Sequence, residues 1–389
     1  MLMTRRNWLH TSAAAAAGMV ASPAAFGHQL SSASTGHWSS QSRLKAVMPP
    51  VLADYSMIKA RLNANENPFG PSPAARLAIM EAVSMGNRYG HLEAAKLRKM
   101  IAEKEGVPEE YIMISPGSTD MLEKTAITHF VHGGNIVSAD PAYMSLVNTA
   151  QAFSAEWRNV SLTKDYAHDL PAMEAAIDAD TKLVYVCNPN NPTGTLTDAA
   201  ALRAWCSRVS EKAPVFVDEA YLEYLDKPTA SSMVDLVVKG KNLIIARTFS
   251  KIHAMAGLRI GYIVALPETL EKINKMVRGN MGLCITSIMG AIASMSDTGF
   301  HEDSRRWTRG GREFLFSELR TLGFDYSPSY TSFVLFPIQM EGKTFLEKMM
   351  TAGVGVRAFL IDGQTYCRVS VGKMDELKLF TEVLKKVLV

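Results

Sequence analysis

The chain has 389 residues, too many for one small domain and enough for a large α/β domain with a smaller companion. Hydrophobic residues make up 47% of it, so a substantial core can be buried. With 41 basic against 38 acidic side chains the formal charge is +3, which argues against a nucleic-acid-binding stripe or a polybasic membrane patch.

At the N-terminus, Thr4-Arg5-Arg6-Asn7-Trp8-Leu9-His10 precedes an Ala-rich stretch from Thr11 to about Gly27. Paired arginines, an aromatic residue and a leucine before a weakly apolar core resemble a twin-arginine export signal, expected over residues 1–27 and implying a periplasmic protein. A basic leader or an organelle-targeting peptide is the plainer alternative. Removing this segment takes away Arg5 and Arg6 and no acidic residue, leaving a charge of about +1. A Ser-rich flexible spacer is expected over 28–43, with ordered chain beginning near Leu44. No other stretch is long and apolar enough to span a bilayer.

From Leu44 to about Leu266, short β-branched runs alternate with helical stretches. The expected strands are Tyr111–Ile114, Asn135–Ala139, Glu156–Val160, Lys182–Cys187, Pro214–Asp218, Asn242–Arg247 and Ile260–Ala265. This alternation predicts an α/β fold: a large domain over 81–286 with a mainly parallel seven-stranded sheet covered by helices. Residues 44–80 are expected to join a smaller α+β domain over 287–389. There the pattern predicts a long helix over roughly His301–Leu322, strands at Ser332–Phe336, Val354–Val356 and Tyr366–Val371, and a closing helix from Asp375. None of the four cysteines forms a C-x-x-C pair, which argues against a metal or redox motif. Cys187 and Cys367 lie in apolar runs and read as small buried thiols.

In sheets of this kind, ligand groups gather at the carboxyl ends of the strands. Ser118 and Thr119 lie in such a turn, before a helix expected at Met121–Phe130. Free N–H groups and the helix dipole make it an anion site, although Ser, Thr and Asp are also ordinary N-caps. Asp218 ends the apolar run Val215-Phe216-Val217, and a buried carboxylate needs a cationic partner unless it only caps the next segment. Tyr221 follows it, as a hydrogen-bonding group or a core residue. Asn191 sits in Asn188–Gly194, where turn formation alone is an adequate account. Tyr143, just past a strand, offers a flat ring for stacking or simple packing. Lys251, after a buried strand, needs a lowered pKa to act as a nucleophile or base. Thr248, Ser250 and Arg259 around it suit a phosphate, though the two hydroxyls serve equally as helix caps. Arg368 lies among apolar neighbours and calls for an anion, either a substrate carboxylate or an internal Asp or Glu.

Taken together, the segments Leu62–Pro68, Arg88-Tyr89, Tyr185–Gly194, Asp218–Tyr221, Thr248–Gly261, Val356-Arg357 and Arg368–Gly372 resemble the class I/II aminotransferases, which depend on pyridoxal 5′-phosphate. The resemblance is to histidinol-phosphate aminotransferase and its relatives, and it runs from about Leu62 to the C-terminus. It implies a transaminase exchanging an amino group between an amino acid, or a similar amine, and a 2-oxo acid. Decarboxylases, lyases and cyclases use the same cofactor on the same scaffold. By resemblance Lys251 carries the cofactor as a Schiff base, Asp218 pairs with its pyridine nitrogen, and Asn191 and Tyr221 address its phenolic oxygen. Tyr143 stacks on the ring, while Ser118, Thr119, Thr248, Ser250 and Arg259 hold the phosphate. Tyr89 is similar to a tyrosine that reaches the neighbouring subunit's phosphate, which implies a homodimer. Arg368 corresponds to a carboxylate clamp, and Asn65 and Arg357 to the substrate pocket lining. Twin-arginine export of a folded protein is compatible with loading the cofactor before translocation.

Overall fold

A computed structural model of the chain describes residues 41–50, 55–277 and 282–388; the expected leader and the spacer up to residue 40 lie outside them. The chain enters through two short strands, β1 (Leu44–Val47) and β2 (Ala60–Arg61). Two helices follow, Pro73–Ala82 and His91–Glu105. Ser72 caps the first by accepting the Ala75 N–H, and Pro73 occupies a position where no N–H is needed.

Seven strands then build one sheet: β3 (Ile112–Ser115), β4 (Asn135–Asp140), β5 (Glu156–Ser161), β6 (Thr181–Cys187), β7 (Val215–Asp218), β8 (Leu243–Thr248) and β9 (Gly261–Ala265). Each lies within one residue of its expected span. The order is β3-β9-β8-β7-β6-β4-β5, and only β9 runs against its neighbours. Successive side chains point to opposite faces, and both faces are covered. Thus β6 sends Val184 and Val186 into one core and Leu183, Tyr185 and Cys187 into the other. Strand β7 divides Val215 and Val217 from Phe216 in the same way. The helix Ile285–Ser296 joins the first of these cores through Ile288, Ala291 and Ile292. Its Gly290 lies against the helix Pro73–Ala82, where a Cβ would stand 2.8 Å from Ile79 Cγ1.

After the helix Thr298–Thr321 come β10 (Phe333–Pro337), β11 (Val354–Gly355), β12 (Arg357–Ile361) and β13 (Gln364–Ser370). Strands β1-β12-β13-β10 form an antiparallel sheet, and β11 pairs in parallel with β2. The helices Gly342–Thr351 and Met374–Leu388 cover a third core that includes Leu62, Leu315, Phe336, Phe345 and Phe380. Strands β1, β2 and β12 add to those expected from the sequence. The chain therefore returns its first described residues to the second sheet, across the carboxyl ends of the first. Cys187, Cys206 and Cys367 are buried free thiols, and Cys284 is exposed.

Candidate active site

A cavity of about 690 Å³ opens at the carboxyl ends of the large sheet, between it and the second sheet. Its size is that of a small-molecule site. Every site residue expected from the sequence lines it except Tyr89.

One end of the cavity is an anion cradle. The helix Ser118–Phe130 begins after Gly117, at φ 84°, with no side chain capping its first N–H groups. Ser118 and Thr119 are therefore not N-caps; they belong to the first turn, whose N–H groups face outward. Gly117 is required by close approach: a Cβ there would lie 2.3 Å from Arg259 Nη2. Arg259, itself left-handed at φ 49°, donates from Nη1 to Ser250 Oγ (3.3 Å) and to the Ala256 carbonyl (3.0 Å). Thr248 Oγ1 donates to Ser250 Oγ (2.9 Å) and accepts the Ser250 N–H (3.1 Å). Thr248 closes β8 and Ser250 lies in the turn after it, where no helix begins, so helix capping is not their role either. Thr119 Oγ1 lies 3.4 Å from Tyr143 Oη, which places the Tyr143 ring at the cavity wall.

The centre holds Lys251, Asp218, Tyr221 and Asn65. Burial first, and the Arg368 guanidinium second, bring the Lys251 amine down to about 8. Lys251 Nζ donates to the Asn65 carbonyl (3.0 Å) and stands 5.3 Å from the centre of the Tyr221 ring. Asp218 is 3% exposed, and burial raises its carboxyl to about 6 against the Ala220 N–H and Lys251, which both act to lower it. The Ala220 N–H donates to its Oδ1 (3.1 Å), and no ion pair compensates the carboxylate among the described residues. Burial likewise drives the Tyr221 hydroxyl upward, so it stays protonated. Asn65 Nδ2 donates to that hydroxyl (3.0 Å). Asn65 holds a left-handed backbone, φ 53°, in a buried position, and Ser370 of β13 fixes it twice. The Asn65 N–H donates to Ser370 Oγ (2.8 Å), which donates to Asn65 Oδ1 (3.0 Å). Asn65 is thus a hub that touches the lysine and the tyrosine, a role its sequence position did not reveal.

The third part is cationic. Arg368 lies between Phe333 and Phe359, 5.2 Å from each ring. Its Nη1 donates to Asn191 Oδ1 (2.5 Å), and its Nε is buried without a partner. No carboxylate pairs with it among the described residues, so the internal ion pair left open above is absent. Burial lowers this guanidinium to about 10. Arg357 stands opposite Arg368 in the β12–β13 register, and its Nε is also without a partner. Two unpaired guanidiniums on one wall call for an anionic ligand.

Tyr89 is elsewhere. It is 83% exposed, stacks on His91, and lies beside Gly282 and Cys284 at a separate cavity. Three residues of the described N-terminal segment, Ser42, Leu44 and Ala46, line the main cavity and were not expected there.

Pyridoxal phosphate fits these donors on three counts. The uncapped helix start with Arg259 suits its phosphate, the buried Asp218 lacks the cation that a pyridinium supplies, and Lys251 is the depressed amine an aldehyde requires. A family model for aminotransferase class I and II matches residues 57–384. The histidinol-phosphate aminotransferase of Moorella thermoacetica is 36% identical over 330 residues, 84% of this chain and 85% of its own length. Histidinol-phosphate aminotransferase 1 of Cupriavidus pinatubonensis is 35% identical over 332 residues, 84% of this chain and 88% of its own. The crystal structure of histidinol-phosphate aminotransferase from Sinorhizobium meliloti in complex with pyridoxal-5′-phosphate is similar with a TM-score of 0.77 at 26% identity, covering 85% of this chain and 91% of that one.

Fold and donor set together define a pyridoxal-phosphate-dependent enzyme. The chain belongs to the aminotransferase class I and II family, and its activity is transamination with pyridoxal 5′-phosphate as cofactor.

Proposed function

We propose that the site transfers an amino group from an amino acid, or a related amine, to a 2-oxo acid, with Lys251 as the residue that binds the cofactor and moves the proton. The observation that carries this reading is a buried amine at about 8 set between an uncompensated Asp218 and an unpaired Arg368. When bound, pyridoxal phosphate supplies an aldehyde that condenses with amines and a protonated ring that draws electrons from Cα as its hydrogen leaves. Asp218 would hold the ring nitrogen protonated. Tyr221 Oη and Asn191 Nδ2 would donate to the phenolic oxygen, since Asn191 Oδ1 faces Arg368. Tyr143 would support the ring, and Ser118, Thr119, Thr248, Ser250 and Arg259 would hold the phosphate.

Arg368 takes the substrate carboxylate through its unpaired edge, and Arg357 and Asn65 line the rest of the pocket. Lys251 Nζ, near its neutral point at physiological pH, removes the Cα proton. The relatives' names make histidinol phosphate one candidate donor, and two neighbouring guanidiniums are compatible with its charge.

The test is a single half-reaction. Purified, loaded protein is mixed with amino donors one at a time, and the cofactor is followed by absorbance. Transamination leaves the amine form of the cofactor and releases a 2-oxo acid; return of the starting spectrum with loss of CO₂ or of a β-substituent would refute it.

The same reading makes the active unit a homodimer. Leu77, Met80, Val83, Tyr89 and Leu92 are all exposed within one stretch of two helices, an unusual density of bare apolar side chains. A second copy covers them and brings Tyr89 to the partner's cradle. Met80→Glu with Leu92→Glu should yield a monomer in sedimentation that retains the cofactor weakly; an unchanged dimer refutes this surface. Export to the periplasm rests on residues 1–27 alone. Arg5→Lys with Arg6→Lys should leave the protein in the cytoplasmic fraction, and periplasmic recovery of that variant would refute the twin-arginine route.

A further inference from the structure

The outer wall of the cavity comes from the segment that follows the expected spacer. Ser42, Leu44 and Ala46 line it, and β1 is held to the second sheet by its register with β12, from Leu44↔Ile361 to Val47↔Ala358. Just before β1 the chain crosses to the first sheet. Ser42 Oγ donates to Asp140 Oδ1 (2.7 Å), and the Arg43 N–H donates to Asp140 Oδ2 (2.6 Å). The Leu44 N–H closes the turn onto Ser42 Oγ (3.0 Å).

Asp140 ends β4, is 1% exposed, and has no ion pair among the described residues; the Arg43 guanidinium turns instead to Asp362 (3.6 Å). Both carboxylate oxygens are therefore satisfied by residues 42 and 43. A buried carboxylate stripped of these donors would be costly, so the carboxylate and the segment hold each other in place. Tyr143, at the cavity wall, follows Asp140 by three positions.

We propose that Ser42–Val47 is a strap closing the outer wall of the substrate pocket, and that Asp140 is the positioning residue that catches it. The inference rests on the pocket assigned above. The strap lines the outer wall and carries none of the groups assigned to the chemistry, so its release weakens substrate holding and leaves the chemical step alone.

The test uses the mature, cofactor-loaded chain carrying Asp140→Asn, with Ser42→Ala as a milder second variant. Trypsin at the Arg43–Leu44 and Lys45–Ala46 bonds reads strap opening. Single-turnover half-reactions over a range of L-glutamate concentrations read the half-saturating concentration (KM) against the limiting rate (kcat). Loss of a hydrogen bond to a charged group predicts cleavage and KM each raised about tenfold, with kcat within about twofold and cofactor absorbance retained. Unchanged cleavage in both variants overturns the strap. A fall in kcat at constant KM overturns its role in substrate holding. If the unmodified protein does not react with L-glutamate, that donor is excluded, and the cleavage rate still decides for or against the strap.

Discussion

Arg368 couples stability to function in opposite directions, and Arg368→Met separates the two. The guanidinium is buried, unpaired at Nε, and lowered from its usual value to about 10. A cation whose folded pKa is depressed costs stability at every pH below that value, and the cost fades only as pH rises from about 10 toward its unfolded value. That shift corresponds to about 3 kcal/mol at neutral pH. Methionine keeps the apolar stem between Phe333 and Phe359, and the lost bond to Asn191 returns about 1 kcal/mol. The cofactor-free variant should therefore be more stable than the parent by about 2 kcal/mol, uniformly between pH 6 and 9. Activity should move the other way. Losing a buried bidentate partner for a carboxylate costs about 3–5 kcal/mol, so kcat/KM should fall by roughly 10²–10⁴. Arg368 also helps lower Lys251, so the acidic limb of the pH profile, where the base becomes protonated, should shift upward. Denaturant unfolding of the cofactor-free protein and the half-reaction pH profile measure all three. A destabilised variant with kcat/KM within tenfold of the parent would mean that Arg368 serves an internal anion, and the clamp argument would fail.

Lys251→Ala should abolish turnover while unfolding as cooperatively as the parent, since among the described residues its amine is held only by a bond to the Asn65 carbonyl; near-normal activity would remove Lys251 from the chemistry. Asp218 is raised to about 6, so in the cofactor-free protein its stability contribution is present below the unfolded carboxylate value and lost as pH rises through about 6. Cofactor binding needs the ionised form, so the dissociation constant should rise about tenfold per pH unit below 6, read by fluorescence titration; a flat profile between pH 5 and 8 would contradict the pyridine pairing. Asn65→Gly tolerates the positive φ but loses the bonds to Tyr221 and Ser370, and should lower kcat about tenfold and stability by about 2 kcal/mol. Asn65→Ala should lose a further 1 kcal/mol or so, because alanine is strained there. Equal unfolding free energies for the two variants would show that the backbone at residue 65 relaxes.

The parts legible in the sequence were those whose physics is local. A strand covered on both faces must be apolar throughout, so β3 to β9 stood out as runs, and a polar residue closing such a run, as Asp218 does, announces itself. Asp140 closes β4 in the same way and carried the same signal, but its partners lie 97 and 98 positions away and nothing near it hints at them. Strand β12 escaped because the chain changes partners after Gly355, from the parallel pairing with β2 to the antiparallel pairing with β13. Yet Asp362-Gly363, both at positive φ between Ile361 and Gln364, is the two-residue hairpin turn that pairs two strands, and it was readable. What no local pattern contains is the closure of the site. Asn65 reaches Tyr221 across 156 positions, and Arg368 reaches Asn191 across 177. Each of these contacts joins the small sheet, or the segment leading into it, to the cofactor side. The lysine and the aspartate stand at the ends of large-sheet strands, whereas Arg357 and Arg368, proposed above to hold the substrate, belong to the second sheet. Reaction type was therefore readable from one half of the molecule, and the closure of the cavity lies in contacts between the halves.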